Sequence, residues 1–125
     1  MKVVRKVNQH GEPLILVKLL GTQKKTSVIV DTGFNGELCL PRKTIKKLKL
    51  ELYASEYFEL ADGKFVLAEV FKGYLEWFEE KIKPVEVIVT GAKQGLLGTQ
   101  LLTASTLTVN FVEGKVVIER TNSSG

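Results

Sequence analysis

Residues 28–36 read Val28-Ile29-Val30-Asp31-Thr32-Gly33-Phe34-Asn35-Gly36. The three β-branched aliphatic residues predict a buried strand, and the two glycines predict a turn that follows it. Neither prediction requires an aspartate between them. A carboxylate at the end of a buried strand is costly to remove from water unless a partner compensates for the lost hydration. Asp31 is therefore the first candidate for a functional residue.

A second informative stretch begins about 60 residues further along the chain. Residues 94–102 read Gln94-Gly95-Leu96-Leu97-Gly98-Thr99-Gln100-Leu101-Leu102, and a predicted strand follows at 107–111. Together, the Asp-Thr-Gly triplet after aliphatic residues and the Leu-Leu-Gly before a short amphipathic helix resemble the two signatures of the retropepsin-like fold. The two signatures stand in the same order, and at the same distance along the chain, as in a single lobe of that fold.

The resemblance covers residues 13–120 and is greatest to the prokaryotic branch of the clan AA single-lobe aspartic proteases. Their triplet continues with Phe-x-Gly, here residues 34–36, before an aliphatic stretch and Pro41. The resemblance implies an all-β fold, a small closed β-barrel of the retropepsin (acid protease) type with one or two short helices. The length fits a single domain over residues 1–120, with a tail at 121–125 predicted to be disordered.

Local patterns predict where several elements lie. Pro41 fits the first turn of a short helix with lysines on its outer face. Asp62-Gly63 is a strong two-residue hairpin signal within residues 57–67, because that turn requires positive φ. In the resembled fold this hairpin is the flap, which closes over a bound peptide; a plain surface hairpin is the alternative. Further strands are predicted at 70–78 and 85–89.

Composition excludes several classes of function. The net charge is +4, and the lysines at 43–49 are interpreted as a solvated helix face, so no nucleic-acid partner is predicted. One cysteine and one histidine supply neither a disulfide nor a usual zinc site, and we predict no metal and no cofactor. Since no apolar run reaches a membrane span, we predict no membrane partner and a cytoplasmic location.

The resemblance implies aspartic endopeptidase chemistry on a polypeptide substrate. In such enzymes two carboxylates hold a water molecule; one acts as a general base and the other donates a proton to the peptide carbonyl. The chain has only two aspartates, and Asp62 lacks the Thr-Gly that follows Asp31. A single copy cannot build the pair, whereas a symmetric homodimer places Asp31 of each copy at the two-fold axis.

The resemblance also assigns roles around the catalytic Asp31. Thr32, Gly33 and Gly98 are predicted to support the active site, with Gly98 close beneath the Asp31 loop. The predicted substrate-binding residues are Gly33, Ala61, Asp62, Gly63 and Leu96. Viral members carry a supporting aspartate–arginine pair at positions that are neutral here, Asn35 and Thr99.

Two other functions remain open from the sequence. The first is a non-catalytic module that keeps the same fold for dimerisation or peptide binding, although such a module has little use for a carboxylate at position 31. The second, weaker alternative is a nucleic-acid-associated protein, prompted by the basic net charge. The sequence also continues past the point where viral chains end and intertwine their termini, so we expect a different dimer interface.

Overall fold

The computed structural model describes residues 2–59, 62–78 and 81–120. Its strands are β1 (Lys2–Lys6), β2 (Leu14–Leu19), β3 (Thr26–Val30), β4 (Leu38–Pro41), β5 (Glu51–Glu59), β6 (Phe65–Trp77), β7 (Lys81–Thr90), β8 (Gly95–Leu97), β9 (Ser105–Asn110) and β10 (Lys115–Arg120). The helix α1 (Arg42–Leu48) follows β4, and a 3₁₀ helix, η1 (Thr99–Leu102), follows β8. The predicted disordered tail at 121–125 lies outside the described residues.

Seven strands form the main sheet, in the order β2-β3-β8-β4-β7-β6-β5. The sheet curls until β2 meets β6, where Lys18 pairs with Glu76 and Leu19 pairs with Leu75. The predicted all-β, retropepsin-like fold is confirmed. The barrel is not formally closed, because only these two residue pairs join its ends and β5 extends beyond the join.

The remaining three strands form a separate antiparallel sheet in the order β1-β10-β9. β10 is its central strand, pairing with β1 from Lys2↔Glu119 to Lys6↔Lys115 and with β9 along its whole length. The chain therefore pairs its first strand with its last one. Both partners of β10 come from the same polypeptide.

The core lies inside the curled sheet, where alternate side chains of the strands meet. In β2 the inward residues are Ile15, Val17 and Leu19, all at most 2% exposed. The other members of the core cluster are Val28, Val30, Leu38, Leu40, Ile45, Leu48, Leu75, Trp77, Phe78, Val85, Val87, Leu97, Leu101, Val116 and Ile118. Because α1 and both sheets contribute to one cluster, the element that carries Asp31 is anchored by the whole described fold.

Two strands are longer than the sequence pattern predicts. β6 continues from residue 65 to residue 77 without the interruption that the sequence predicts before residue 70. β7 begins at Lys81 and includes Pro84, whereas the sequence predicts a strand only over residues 85–89. Within β7, only Val87–Thr90 pair with β4, so Pro84 has β6 as its one neighbouring strand. A proline is tolerated there because its missing N–H breaks no second ladder.

In the described part of the chain, no helix has the length and apolar character that crossing a membrane would require.

Candidate active site

The two sequence signatures are neighbours in the sheet. β8 lies between β3 and β4, parallel to β3 through Val30↔Leu97 and antiparallel to β4 through Leu38↔Leu97. This insertion needs a small residue at the start of β8. A Cβ on Gly95 would lie 2.8 Å from Cδ2 of Leu40, closer than side-chain carbons pack. The glycine therefore lets β8 enter between the two strands.

Asp31 follows the last residue of β3 and is held by three hydrogen bonds. Its N–H donates to the carbonyl oxygen of Leu97 at 2.9 Å, and its own carbonyl oxygen accepts from the Phe34 N–H at 3.1 Å. Its Oδ1 accepts from the Gly33 N–H at 2.9 Å. The side chain is half-buried, whereas Thr32 and Gly33 are exposed. The carboxylate is thus oriented by its own loop and remains accessible from outside.

The loop after Asp31 rests on the start of η1. Successive backbone N–H groups of Gly98, Thr99 and Gln100 donate to the carbonyl oxygens of Glu37, Phe34 and Gly36 at 2.9, 2.9 and 3.2 Å. A Cβ on Gly98 would overlap the Gly36 carbonyl oxygen and lie 2.7 Å from that of Phe34. This close approach requires glycine at position 98, because neither backbone carbonyl can move without breaking these bonds.

A groove of about 900 Å³ opens beside this loop. It is lined by the loop residues 33–37, by residues of the β5–β6 hairpin and by the end of β7. Its apolar lining is Phe34, Phe58, Val66, Leu67, Ala68, Ile88 and Val89, and its charged lining is Glu37, Arg42, Glu56, Glu59, Glu69 and Glu86. The volume is within the range of ligand sites in proteins.

The predicted site residues are distributed unequally around this groove. Gly33 lines it, whereas Asp31, Thr32 and Gly98 lie outside its lining. Leu96 also lies outside, half-buried and paired with Ile29 and Cys39. Asp62 and Gly63 lie at the exposed tip of the hairpin, where Asp62 Oδ1 accepts from the Lys64 N–H at 3.0 Å. The substrate-binding prediction for Ala61 lies outside the described residues.

The sequence interpretation missed the glutamates of the groove. Glu37 directly follows the first signature, and its Oε1 accepts from the backbone N–H of Glu86 at 2.9 Å. Arg42 donates to Glu69 Oε1 at 2.6 Å. These residues come from separate elements, so only their meeting in space distinguishes them from ordinary surface glutamates.

Cys39 does not provide an alternative nucleophile. Its side chain is 8% exposed, and burial raises the pKa of the thiol above its ordinary value; a hydrogen bond with Thr90 acts in the opposite direction and is the smaller effect. A thiol that stays protonated is a poor nucleophile. Within residues 2–59, 62–78 and 81–120, no group of three or more histidine, cysteine, aspartate or glutamate residues could hold a metal ion.

Solved structures that share this fold include two proteases and a protease-like domain. The chain is similar to a retropepsin-like aspartic protease from Rickettsia conorii, with a TM-score of 0.72 and 17% identity over 96% of this chain and 91% of that one. The EIAV protease, complexed with the inhibitor HBY-793, has a TM-score of 0.60 and 17% identity over 77% and 89% of the two chains. The retroviral protease-like domain of Ddi1 from Leishmania major has a TM-score of 0.52 and 10% identity over 90% and 96%.

No family model and no curated protein matches the sequence. At identities of 10–17%, the structural likeness shows the fold.

Proposed function

We propose that the chain is an aspartic endopeptidase that is active as a homodimer. The observation that carries this proposal is the position of Asp31, whose accessible carboxylate is oriented by the Gly33 N–H in a loop beside the groove. The retropepsin-like fold of the chain supports the same chemistry. A non-catalytic dimerising or peptide-binding module would account for the groove, but it would leave the oriented carboxylate of Asp31 without a function.

In the proposed mechanism, Asp31 of each copy contacts one water molecule at the two-fold axis. Two carboxylates held close together share a proton, because both cannot readily carry charge at this separation. The ionised member takes a proton from the water as it attacks the peptide carbonyl carbon, and the protonated member donates to the carbonyl oxygen. The pair titrates as a unit, so the pH dependence of activity belongs to both copies.

The neighbouring residues have supporting tasks in this proposal. Gly33 leaves room for the substrate backbone beside the carboxylate, since an added Cβ would lie 3.2 Å from Asp31 Oδ1. The exposed Thr32 hydroxyl would bond the partner's backbone across the axis. Gly98 would keep the Asp31 loop close to η1, and the β5–β6 hairpin tip with Asp62 and Gly63 would close over the peptide. Leu96 would contact substrate once the second copy completes the pocket.

Asp31→Asn tests the catalytic role directly. We expect kcat on a denatured polypeptide to fall by about 10²–10⁴-fold, because the amide cannot act as the general base. The fold should be retained, since the asparagine side-chain oxygen can still accept from the Gly33 N–H. The measurement is cleavage from acidic to neutral pH, with and without a statine-type inhibitor, alongside the thermal unfolding of both proteins.

Glu119→Gln is the matched control, because this exposed carboxylate lies on β10 in the other sheet. It should leave cleavage unchanged. Undiminished cleavage by Asp31→Asn would refute the proposal. A wild-type dimer that binds peptide and never cuts it would establish the non-catalytic module instead.

A further inference from the structure

The groove has a charge opposite in sign to that of the whole chain. The chain has 18 lysines and arginines against 14 aspartates and glutamates. The groove, in contrast, is lined by Glu37, Glu56, Glu59, Glu69 and Glu86 against one cation, Arg42. A cleft lined by one sign of charge concentrates the electrostatic potential and attracts ligands of the other sign.

Two of these six charges neutralise each other. Arg42 and Glu69 form an ion pair with a nitrogen–oxygen distance of 2.6 Å. Lys72 lies directly across the ladder from Glu86, but its ammonium sits 4.5 Å from the centre of the Tyr53 ring. Among the described residues, no ion pair within 4.0 Å involves the remaining four glutamates of the groove. No cationic side chain of the described residues therefore compensates their charge, and Glu56, Glu59 and Glu86 are exposed to solvent.

Glu37 is the most strongly positioned of these carboxylates. Its carbonyl oxygen accepts from the Gly98 N–H at 2.9 Å, and its side-chain Oε1 accepts from the Glu86 N–H at 2.9 Å. Both its backbone and its side chain are thus fixed next to the loop that carries Asp31. The second carboxylate oxygen remains to accept a hydrogen bond from a cationic group.

The rest of the groove lining fits the stem of a long basic side chain. Phe58 and Val66 pair across the β5–β6 hairpin and, with Ile88 on β7, give apolar surface next to the glutamates. Lysine and arginine pack their methylene groups on such surface while their charged ends reach carboxylates. A bare metal ion fits less well, since the described residues contain no metal-holding cluster.

We propose that this groove selects polypeptide substrates with a lysine or arginine close to the bond that is cut, and that Glu37 and Glu86 are the specificity-determining residues. This inference rests on the proposed endopeptidase function. Glu37 orients the basic side chain, and Glu56, Glu59 and Glu86 add attraction. Acidic side chains at the same substrate position are repelled.

The test compares three peptides of one sequence, with lysine, glutamine or glutamate at a single position near the cleaved bond, each placed in turn at successive positions. For the wild-type protein we expect kcat/KM to be about tenfold higher for lysine than for glutamate at one position, as for two or three partly exposed ion pairs. In the double variant Glu37→Gln, Glu86→Gln the ratio should fall to about twofold or less. High salt should narrow the wild-type ratio.

The glutamine peptide separates specificity from a structural effect. The amide oxygen that Glu37→Gln introduces can still accept from the N–H of residue 86, so the double variant should lose activity on the lysine peptide by a larger factor than on this neutral peptide. The control Glu119→Gln should keep the full preference for lysine. A variant that loses activity equally on all three peptides, or a wild-type protein with no preference or a preference for glutamate, would overturn the inference.

A binding measurement distinguishes this inference from the proposed function. Fluorescence anisotropy with Asp31→Asn and labelled forms of the same peptides reports selection without cleavage. Tighter binding of the lysine peptide, reduced by Glu37→Gln in that background, supports the groove assignment even if the wild-type protein cuts nothing. Equal binding of the lysine and glutamate peptides refutes it even if the wild-type protein is an active protease.

Discussion

At the scale of single residues, Gly98 is the most constrained position of the candidate site. Its backbone N–H bonds Glu37, and an added methyl group would meet two backbone carbonyl oxygens. Backbone atoms that are themselves hydrogen-bonded cannot rotate away as a flexible side chain could. The Asp31 loop and η1 are therefore held at a separation that only glycine permits.

Gly98→Ala should destabilise the protein by about 2 kcal/mol or more, as overpacking of a tight contact does. Gly91→Ala is the control, because a Cβ there meets nothing within 4 Å and its φ lies outside the left-handed region. We expect that control to change stability by less than about 1 kcal/mol. Chemical denaturation of both variants measures the difference, and equal stabilities would contradict this account of the loop.

Cys39 links stability to pH. Because burial raises the pKa of its thiol, the unfolded chain ionises at lower pH than the folded one. The protonated Cys39 thiol contributes in full to the free energy of unfolding below its ordinary pKa of 9.0. This contribution is lost as the pH rises toward the raised pKa of the folded protein.

Denaturant unfolding of wild-type protein and Cys39→Ala tests this sign. The stability advantage of the wild-type protein should be smaller at about pH 10 than at about pH 7. An advantage that grows with pH would show that the folded protein favours the thiolate.

At the scale of elements, β10 is paired along both of its edges. It is the central strand of the β1-β10-β9 sheet, and its inward residues Val116 and Ile118 are fully buried. We expect β10 to support the folding of each copy.

Ile118→Ala should lower the free energy of unfolding by about 3 kcal/mol, as for other large-to-small changes in a core. Val117→Ala, on the opposite face and half-buried, should cost about 1 kcal/mol or less. The expected loss of unfolding free energy in Ile118→Ala is independent of protein concentration. A cost that appears only through a weaker dimer would instead place β10 at the interface between copies.

The sequence predicts elements whose signals are local. The strand that ends before Asp31 and the helix after Pro41 agree with the structure to within a few residues. Asp62-Gly63 lies in the turn of the β5–β6 hairpin as predicted, but the last described pair is Glu59↔Phe65, so the turn is longer than two residues. The insertion of β8 between β3 and β4 has no such signal; only the resemblance to a known fold brought the two signatures together. The short helix predicted after the Leu-Leu-Gly stretch is a 3₁₀ helix limited to Thr99–Leu102, because β9 already begins at Ser105.

The acidic groove escaped prediction for a different reason. Glu37, Glu69 and Glu86 each look like a solvated position in their own strand or loop. Their common location depends on the curvature of the seven-stranded sheet and on the β5–β6 hairpin, which single-residue patterns do not encode. Such convergence becomes visible only in the folded molecule.

At the scale of the whole molecule, the proposed activity requires two copies. The chain has two aspartates, and the second, Asp62, uses its carboxylate in the hairpin turn. Activity per chain should therefore fall on dilution, in proportion to the loss of dimer by mass action. Cleavage assays and analytical ultracentrifugation over the same concentration range measure both. Constant activity per chain from a species that sediments as a monomer would exclude the shared pair.

β8 follows the Asp31 loop by about 60 residues in the chain, so the ribosome synthesises the two segments at different times. A ribosome that adds about 5–20 residues per second adds Asp31 to the chain roughly 3–13 seconds before it adds Gly95. During that interval the nascent segment lacks the Leu97 carbonyl and the Gly98 N–H, so the Asp31 loop cannot form its hydrogen bonds with them. The proposed active-site loop therefore cannot take its final conformation until residues 95–100 have been added to the chain.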